Sequence, residues 1–287
     1  MKELGWDKEI TSKRGLFAID FIGIWRYRYL IVLFVRRDFV AVYKQTVLGP
    51  LWFFIQPVFT TAIFVFIFGQ IGGFCPEGVP QELFFLSGIV AWNYFADVFH
   101  KVADTFSQNS KIFGKVFFPR LVVPIAISIS SLLKFCVQFL LLLGVFIYFI
   151  IKGQLEPNYF IILMTPVLLL IMAMLGISFG LIVTSLTVKY RDFKHLVGFA
   201  IQLMMYASPV IFSLEKVMEK GGSIAEFLVL LNPMSSVIVL FKEAYAGHGI
   251  ESFDWNYLLY TCIFAVISLF VSIVIFTRVD KNFVDVI

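Results

Sequence analysis

Charge is scarce in this chain. Asp, Glu, Lys and Arg make up 15% of its 287 residues, against about 25% in an ordinary soluble domain. No hydrophilic stretch approaches the roughly 50–250 residues that such a domain needs. Histidine is rarer still: His100, His195 and His248 lie in three separate segments, no HExxH run occurs, and the GxSxG match GISFG at 176–180 lies inside an apolar span and not at the strand-to-helix turn that motif needs. Hydrolytic or metal-dependent catalysis therefore has no constellation to rest on. No GxxxxGK[ST] phosphate loop is present, so the chain has no P-loop site of its own for ATP. The three cysteines are Cys75, Cys136 and Cys262. Only Cys75 falls in an expected loop, which leaves no disulfide between loops, and no Cys/His spacing suits zinc. The start of the chain carries charge and no apolar core, so no cleavable leader is expected.

What is abundant is apolar, at 60% of all residues. The chain is organised around Arg36 to Ile71. Arg36, Arg37, Asp38 and Lys44 belong in water or at headgroup level, whereas no charge occurs from Leu51 to Ile71. About 20 apolar residues at 1.5 Å rise cross the ~30 Å hydrocarbon core. Gly49-Pro50 marks the joint, with Pro50 suited to the first turn of a new helix. The same pattern recurs and predicts six spans, near Leu51–Ile71, Leu83–His100, Leu121–Ile151, Tyr159–Val188, His195–Phe212 and Tyr257–Thr277. The third is longer than one crossing needs.

Two stretches fit neither span nor plain loop. Phe21 to Tyr43 is apolar but interrupted by Arg26, Arg28, Arg36 and Arg37, with Trp25, Tyr27, Tyr29 and Tyr43 as interfacial residues by type. An amphipathic helix in the cytoplasmic membrane surface is expected. The alternative, a further span through Ile22–Val35, would hold two arginines, each costing about 2.5–3.5 kcal/mol at a span centre. Between spans five and six, FLVLLNPMSSVIVLFKEAYAG has apolar runs too short to cross, separated by Asn232-Pro233. Two short re-entrant helices fit this pattern; a surface helical cap is the alternative. Loop charge sets the orientation. Eighteen Lys and Arg fall before Pro50, in 101–120, in 189–194 and after Thr277, and four fall on the other side. Both termini are thus expected in the cytoplasm. The expected fold is all-α integral membrane, one domain over 1–287. Residues 1–50 form a cytoplasmic segment with the interface helix, 51–277 the six-span region with its re-entrant pair, and 278–287 a cytoplasmic tail. The basic residues sit beside apolar spans, so positive-inside bias explains them without nucleic acid.

Several residues could carry chemistry. Asp97, His100, Lys101 and Asp104 fall on one helix face by spacing, as a proton relay or an ion-paired helix end. Lys134 lies well inside span three, either as a functional intramembrane charge or as a lysine snorkelling to the cytoplasmic interface. Trp52, Gln56 and Phe59 on span one, and Gln202, Tyr206 and Pro209 on span five, form stripes of rings and amides. Such groups suit sugars, whose C–H faces stack on rings while hydroxyls take hydrogen bonds. Ordinary packing held by polar side chains gives the same spacing.

An ordered set of stretches carries a resemblance. These are RRDFVAVYKQTVLGPLWFFIQP (Arg36–Pro57), WNYF (Trp92–Phe95), NSKIFGKVFFPRLVVP (Asn109–Pro124), TVKYRDFKHL (Thr187–Leu196), YASPVIF (Tyr206–Phe212), LNPMSSVIVLFKEAYAG (Leu231–Gly247) and the tail from Arg278. Together they resemble the membrane subunit of ABC-2-type polysaccharide exporters, which move lipid-linked O-antigen and teichoic acid chains. The resemblance implies six spans, an interface helix, re-entrant helices, and a homodimer working with two copies of a separate ABC ATPase that carries the ATP and Mg. No cofactor is then expected in this chain. By resemblance Leu48 and Gly49 lie at the cytoplasmic entrance. Trp52, Gln56, Phe59, Gln202, Tyr206 and Phe212 line the polymer path. Lys111, Lys115, Pro119, Arg120, Tyr190, Arg191 and Asp192 belong to the segments that dock on the ATPase. Lys134 departs from the acidic or neutral residue such a family leads one to expect. The expected role is permease of an O-antigen exporter in the inner membrane, with no catalytic site. A teichoic acid, drug or lipid permease is the nearer rival, and a proton-coupled secondary transporter using Asp97, His100 and Lys134 the more distant one.

Overall fold

Helices α1 (Phe21–Arg26) and α2 (Arg28–Tyr43) open the described chain. A 3-10 turn at Gly49–Leu51 leads into α3 (Trp52–Phe64), which widens into a π-helical stretch, Val65–Ile71. Then follow α4 (Gln81–Ala103), α5 (Thr105–Phe113), α6 (Val122–Ile151), α7 (Tyr159–Leu163), α8 (Thr165–Thr187), α9 (Phe193–Tyr206), α10 (Pro233–Ala246) and α11 (Trp255–Phe283). The computed structural model describes residues 21–44, 48–116, 118–155, 157–188, 192–214, 222, 227, 229, 231–247 and 255–283, and among them every regular element is helical.

Five helices are long and apolar enough to cross a membrane: Gly49–Ile71, Gln81–Ala103, Val122–Ile151, Thr165–Thr187 and Trp255–Val279. The expected fifth crossing is shorter than the sequence suggests. As α9 it has 14 residues, about 21 Å, against the ~30 Å of the hydrocarbon core. Pro209 explains the early end. It has no N–H to continue the ladder and disfavours helical geometry at Ser208. The expected span from Tyr159 likewise breaks at Met164, where Pro166 opens α8. Of the two short apolar runs expected to form a re-entrant pair, the second is the helix α10, and the first, at 227–231, is described only at residues 227, 229 and 231. Every residue of α10 except Val239 and Glu243 is buried. Asn232 begins it, its Oδ1 accepting from the Met234 N–H at 3.0 Å, and Gly247 ends it at φ 71°, a left-handed position that favours glycine.

The core is built around α4. Helices α8, α6, α10, α3 and α9 all pack against it. Most of α4 is buried, whereas α3 is nearly bare. That difference explains where the polar residues went. A span wrapped by protein tolerates Ser87, Asn93 and Asp97, while lipid-facing spans stay apolar. The contact between α4 and α8 is close because α8 carries Gly176 and Gly180. A Cβ at Gly176 would lie 2.9 Å from Val98 Cβ and 3.2 Å from the Phe95 carbonyl oxygen. At Gly180 it would lie 2.6 Å from Val102 Cβ and 3.0 Å from the Phe99 oxygen. Small residues four apart let two backbones approach.

Candidate functional site

The first expected stripe faces outward, and so do Gln202 and Tyr206 of the second, whereas Pro209, its third member, is buried in the turn beyond α9. On α3, Pro57, Thr61 and Phe64 are buried, with the Phe64 ring edge-on to Phe85 of α4 at 6.2 Å. The opposite face carries Trp52, Gln56 and Phe59, all exposed, and Phe59 is 66% exposed. On α9, Val197 is buried while Phe199, Gln202, Leu203 and Tyr206 are exposed. Phe212 is half-buried in the segment beyond. Within one chain the stripes are not brought together. Helix α3 packs on α4 and α6, and α9 on α4 and α8. Among the described residues, the rings and amides of these faces are left exposed. Leu48 and Gly49 stand at the foot of the first stripe. Leu48 is exposed, and Gly49 has φ 49°, so the turn into α3 needs a residue without a Cβ.

The segment after α4 forms a second site. Helix α5 buries Thr105, Phe106, Asn109 and Phe113 and leaves Ser107 and Gln108 exposed, together with Lys115 and Val116 beyond its end. Its buried face is tied to three other helices. Phe106 stacks on Phe276 of α11 at 4.9 Å, and its N–H donates to Thr184 Oγ1 of α8 at 3.3 Å. Arg37 of α2 donates to Asn109 Oδ1 at 3.4 Å. Rings continue the path: Phe113 meets Phe118 at 5.8 Å, and Phe118 meets Phe34 of α2 at 6.0 Å. Arg120, half-buried with Pro119, lies over the Phe113 ring at 5.3 Å. Helix α5 is therefore in direct contact with α2, α8 and α11. Asp192 is exposed at the start of α9. Tyr190, Arg191 and the Lys111 side chain lie outside the described residues.

The charges inside the spans are partnered. Lys134 of α6 donates to Asp97 of α4 at 3.0 Å, Lys101 meets the same carboxylate at 2.6 Å, and Ser131 donates to it at 2.6 Å. Lys134 Nζ also lies 5.8 Å from the Phe53 ring of α3. Spacing placed His100 and Asp104 with Asp97 and Lys101, but the structure separates them. His100 is exposed and makes no contact with this group. Asp104 lies past the end of α4 and accepts from Ser107 and Gln108 of α5. A relay through the four has no continuous path here. The position of Lys134 has a plain reason. It pairs less than two turns from the end of α4, so the overlong α6 brings its charge towards a helix end. One helical turn further in, Asn93 donates to Gln138 at 3.3 Å. The sequence reading missed this inter-helix ladder, although the spacing 93, 97, 101 against 131, 134, 138 signals it. It also missed Gly176 and Gly180, a small-xxx-small pair that sequence displays openly.

The comparisons agree with this layout. The ABC-2 type transporter family pattern matches residues 29–245. An O-antigen export system permease protein RfbA from Klebsiella pneumoniae is 25% identical over 259 residues, covering 90% of this chain and 95% of that protein. Its namesake from Myxococcus xanthus is 26% identical over 226 residues, covering 78% of this chain and 83% of that protein. A second K. pneumoniae protein of that name is 23% identical over 259 residues. With helices long enough to cross a membrane and a family match over most of its length, the chain belongs to the ABC-2 type transporter membrane family.

Proposed function

We propose that this chain is the permease subunit of an ATP-driven exporter that carries a lipid-linked polysaccharide, O-antigen, across the cytoplasmic membrane. One observation carries the reading: α3 and α9, which both pack on α4, each present an exposed ring-and-amide face. A face with Gln56 or Gln202 amid rings is a poor lipid surface, since its amide finds no partner in hydrocarbon. Two copies of the chain, set face to face, would enclose both stripes in a water-filled path. Curated relatives named as O-antigen export permeases support a polymer as the cargo.

In this reading α9 and the segment through Phe212 together make a sixth crossing, completed by the buried turn after Tyr206. The polymer enters beside Leu48 and Gly49. Lys111, Lys115, Pro119 and Arg120, with the loop at Tyr190, Arg191 and Asp192, receive a separate ABC ATPase, two copies per dimer. Binding energy and hydrolysis on that partner move α5, and the ring path from Phe106 to Phe276 passes the motion into the bundle. The charge split of eighteen to four supports cytoplasmic termini. A cytoplasm-only reporter fused after Ile287 is expected to be active, and a silent one would reverse the orientation.

The energy source separates this reading from a proton-coupled carrier. In cells displaying surface polymer through this chain and its ATPase, ATP depletion with the proton gradient maintained should stop new display. An uncoupler with ATP maintained should leave it running. The reverse pattern would refute the proposal.

A further inference from the structure

Lys242 is the most deeply buried cation among the described residues, 6% exposed in the middle of α10, and nothing above uses it. No carboxylate of a described residue pairs with it. Its ammonium instead donates to two backbone carbonyls, Val210 at 2.8 Å and Phe212 at 3.4 Å. It also sits 3.6 Å from the centre of the Phe84 ring. Room for it is made on α4: a Cβ at Gly88 would lie 2.7 Å from Lys242 Cε and 3.2 Å from the Val210 oxygen.

The carbonyls explain why a lysine stands there. Helix α9 ends at Tyr206, and the chain continues through an irregular, buried stretch, Ser208 to Ile211. Irregular backbone at membrane depth needs internal partners for its polar groups. Past Pro209 the helical ladder no longer supplies them. A cation at the C-terminal side of a broken helix also meets the negative end of its dipole. Asn232 makes a second attachment, its Nδ2 donating to Ser208 Oγ at 2.7 Å. The irregular stretch is thus bound to α10 at two points, by Asn232 at its N-cap and by Lys242 within it.

We infer that Lys242 is a positioning residue: a built-in cation that caps the break after α9 and fixes the segment carrying Tyr206 and Phe212 against α10. The Phe84 ring and the Gly88 gap form its seat. The inference concerns this chain alone and holds whatever cargo it carries.

Hydrogen exchange on the purified protein in lipid nanodiscs, without ATPase or polymer, tests it. In Lys242→Met the amides of residues 207–213 should exchange at least about tenfold faster, the scale set by a buried carbonyl losing its partner. Peptides from α8 should stay unchanged. Lys242→Arg keeps a charged donor and should stay closer to wild type than Lys242→Met. Gly88→Ala leaves the lysine in place but crowds its Cε, and should give a smaller rise in the same segment. It carries the test if Lys242→Met fails to accumulate. Unchanged exchange at 207–213 in the variants that accumulate would overturn the inference. So would a rise spread equally over α8, because Lys242 would then be general core packing. Failure here leaves the export reading untouched, since no transport is measured.

Discussion

Gly180→Val should all but abolish accumulation of the folded protein. The added Cβ would stand 2.6 Å from Val102 Cβ and 3.0 Å from the Phe99 carbonyl oxygen. Val102 is itself fully buried and the Phe99 oxygen is backbone, so neither can swing aside. Overpacking a tight contact costs on the order of 1–3 kcal/mol. Here two backbones must also separate, which weakens the contact between α4 and α8 along its length. Detergent-stable protein should fall at least about tenfold, by the conversion of 1.4 kcal/mol per decade. Gly144→Ala is the control, because a Cβ there meets nothing within 4 Å. A Gly180→Val protein recovered in full and monodisperse would show that this contact does not hold the bundle together.

The second large effect belongs to the proposed pore. Trp52→Ala or Tyr206→Ala should slow export while leaving the chain inserted and bound to its ATPase. A sliding polymer needs many weak, interchangeable contacts, and a single tight site would stall it. Exposed ring contacts of about a kcal/mol or less suit that demand, so losing one costs severalfold and not everything. Trp52→Glu should block export more severely. If the stripes face lipid instead, Ala costs little and a charge causes misinsertion. Single cysteines at 52, 56, 59, 202, 206 and 212, in a background without Cys75, Cys136 and Cys262, separate these cases with a water-soluble thiol reagent. Labelling that rises during ATP turnover and falls with polymer bound fits a pore. Absence of labelling at all six positions would rule one out.

Much of this arrangement was legible from sequence because membranes impose strict rules. Long apolar runs located the five long crossings, and Gly49-Pro50 marked the start of the first. That Trp52, Gln56 and Phe59 share one face followed from helical period, but period left open whether that face is packed or exposed. What stayed hidden depends on contacts between distant segments. Spacing marks 93, 97, 101 and 131, 134, 138 as polar faces of two helices, but it does not pair them: that Lys134 meets Asp97, 37 residues away, depends on how α4 and α6 pack. It could not choose between a functional charge and a snorkelling one. The early end of α9 was readable in principle from Pro209, yet apolar residues on both sides invited a longer helix. Lys242 looked like one of four basic residues on the far side, and only the packing of Val210 and Phe212 beside it shows its use. Whether the two stripes close on each other depends on a second copy, which no intrachain pattern encodes.

The most direct measurement is export in a reconstituted system. The chain and its ABC ATPase would be placed in proteoliposomes with lipid-linked O-polysaccharide in the outer leaflet, on the side where the ATPase faces out. Polymer protected from an added glycosidase would be followed with time. Protection is expected to grow only when ATP and the ATPase are both present, and to fall severalfold with Trp52→Ala. Protection that appears without ATP would contradict the central claim. So would none at all under conditions where a small lipid or drug is moved.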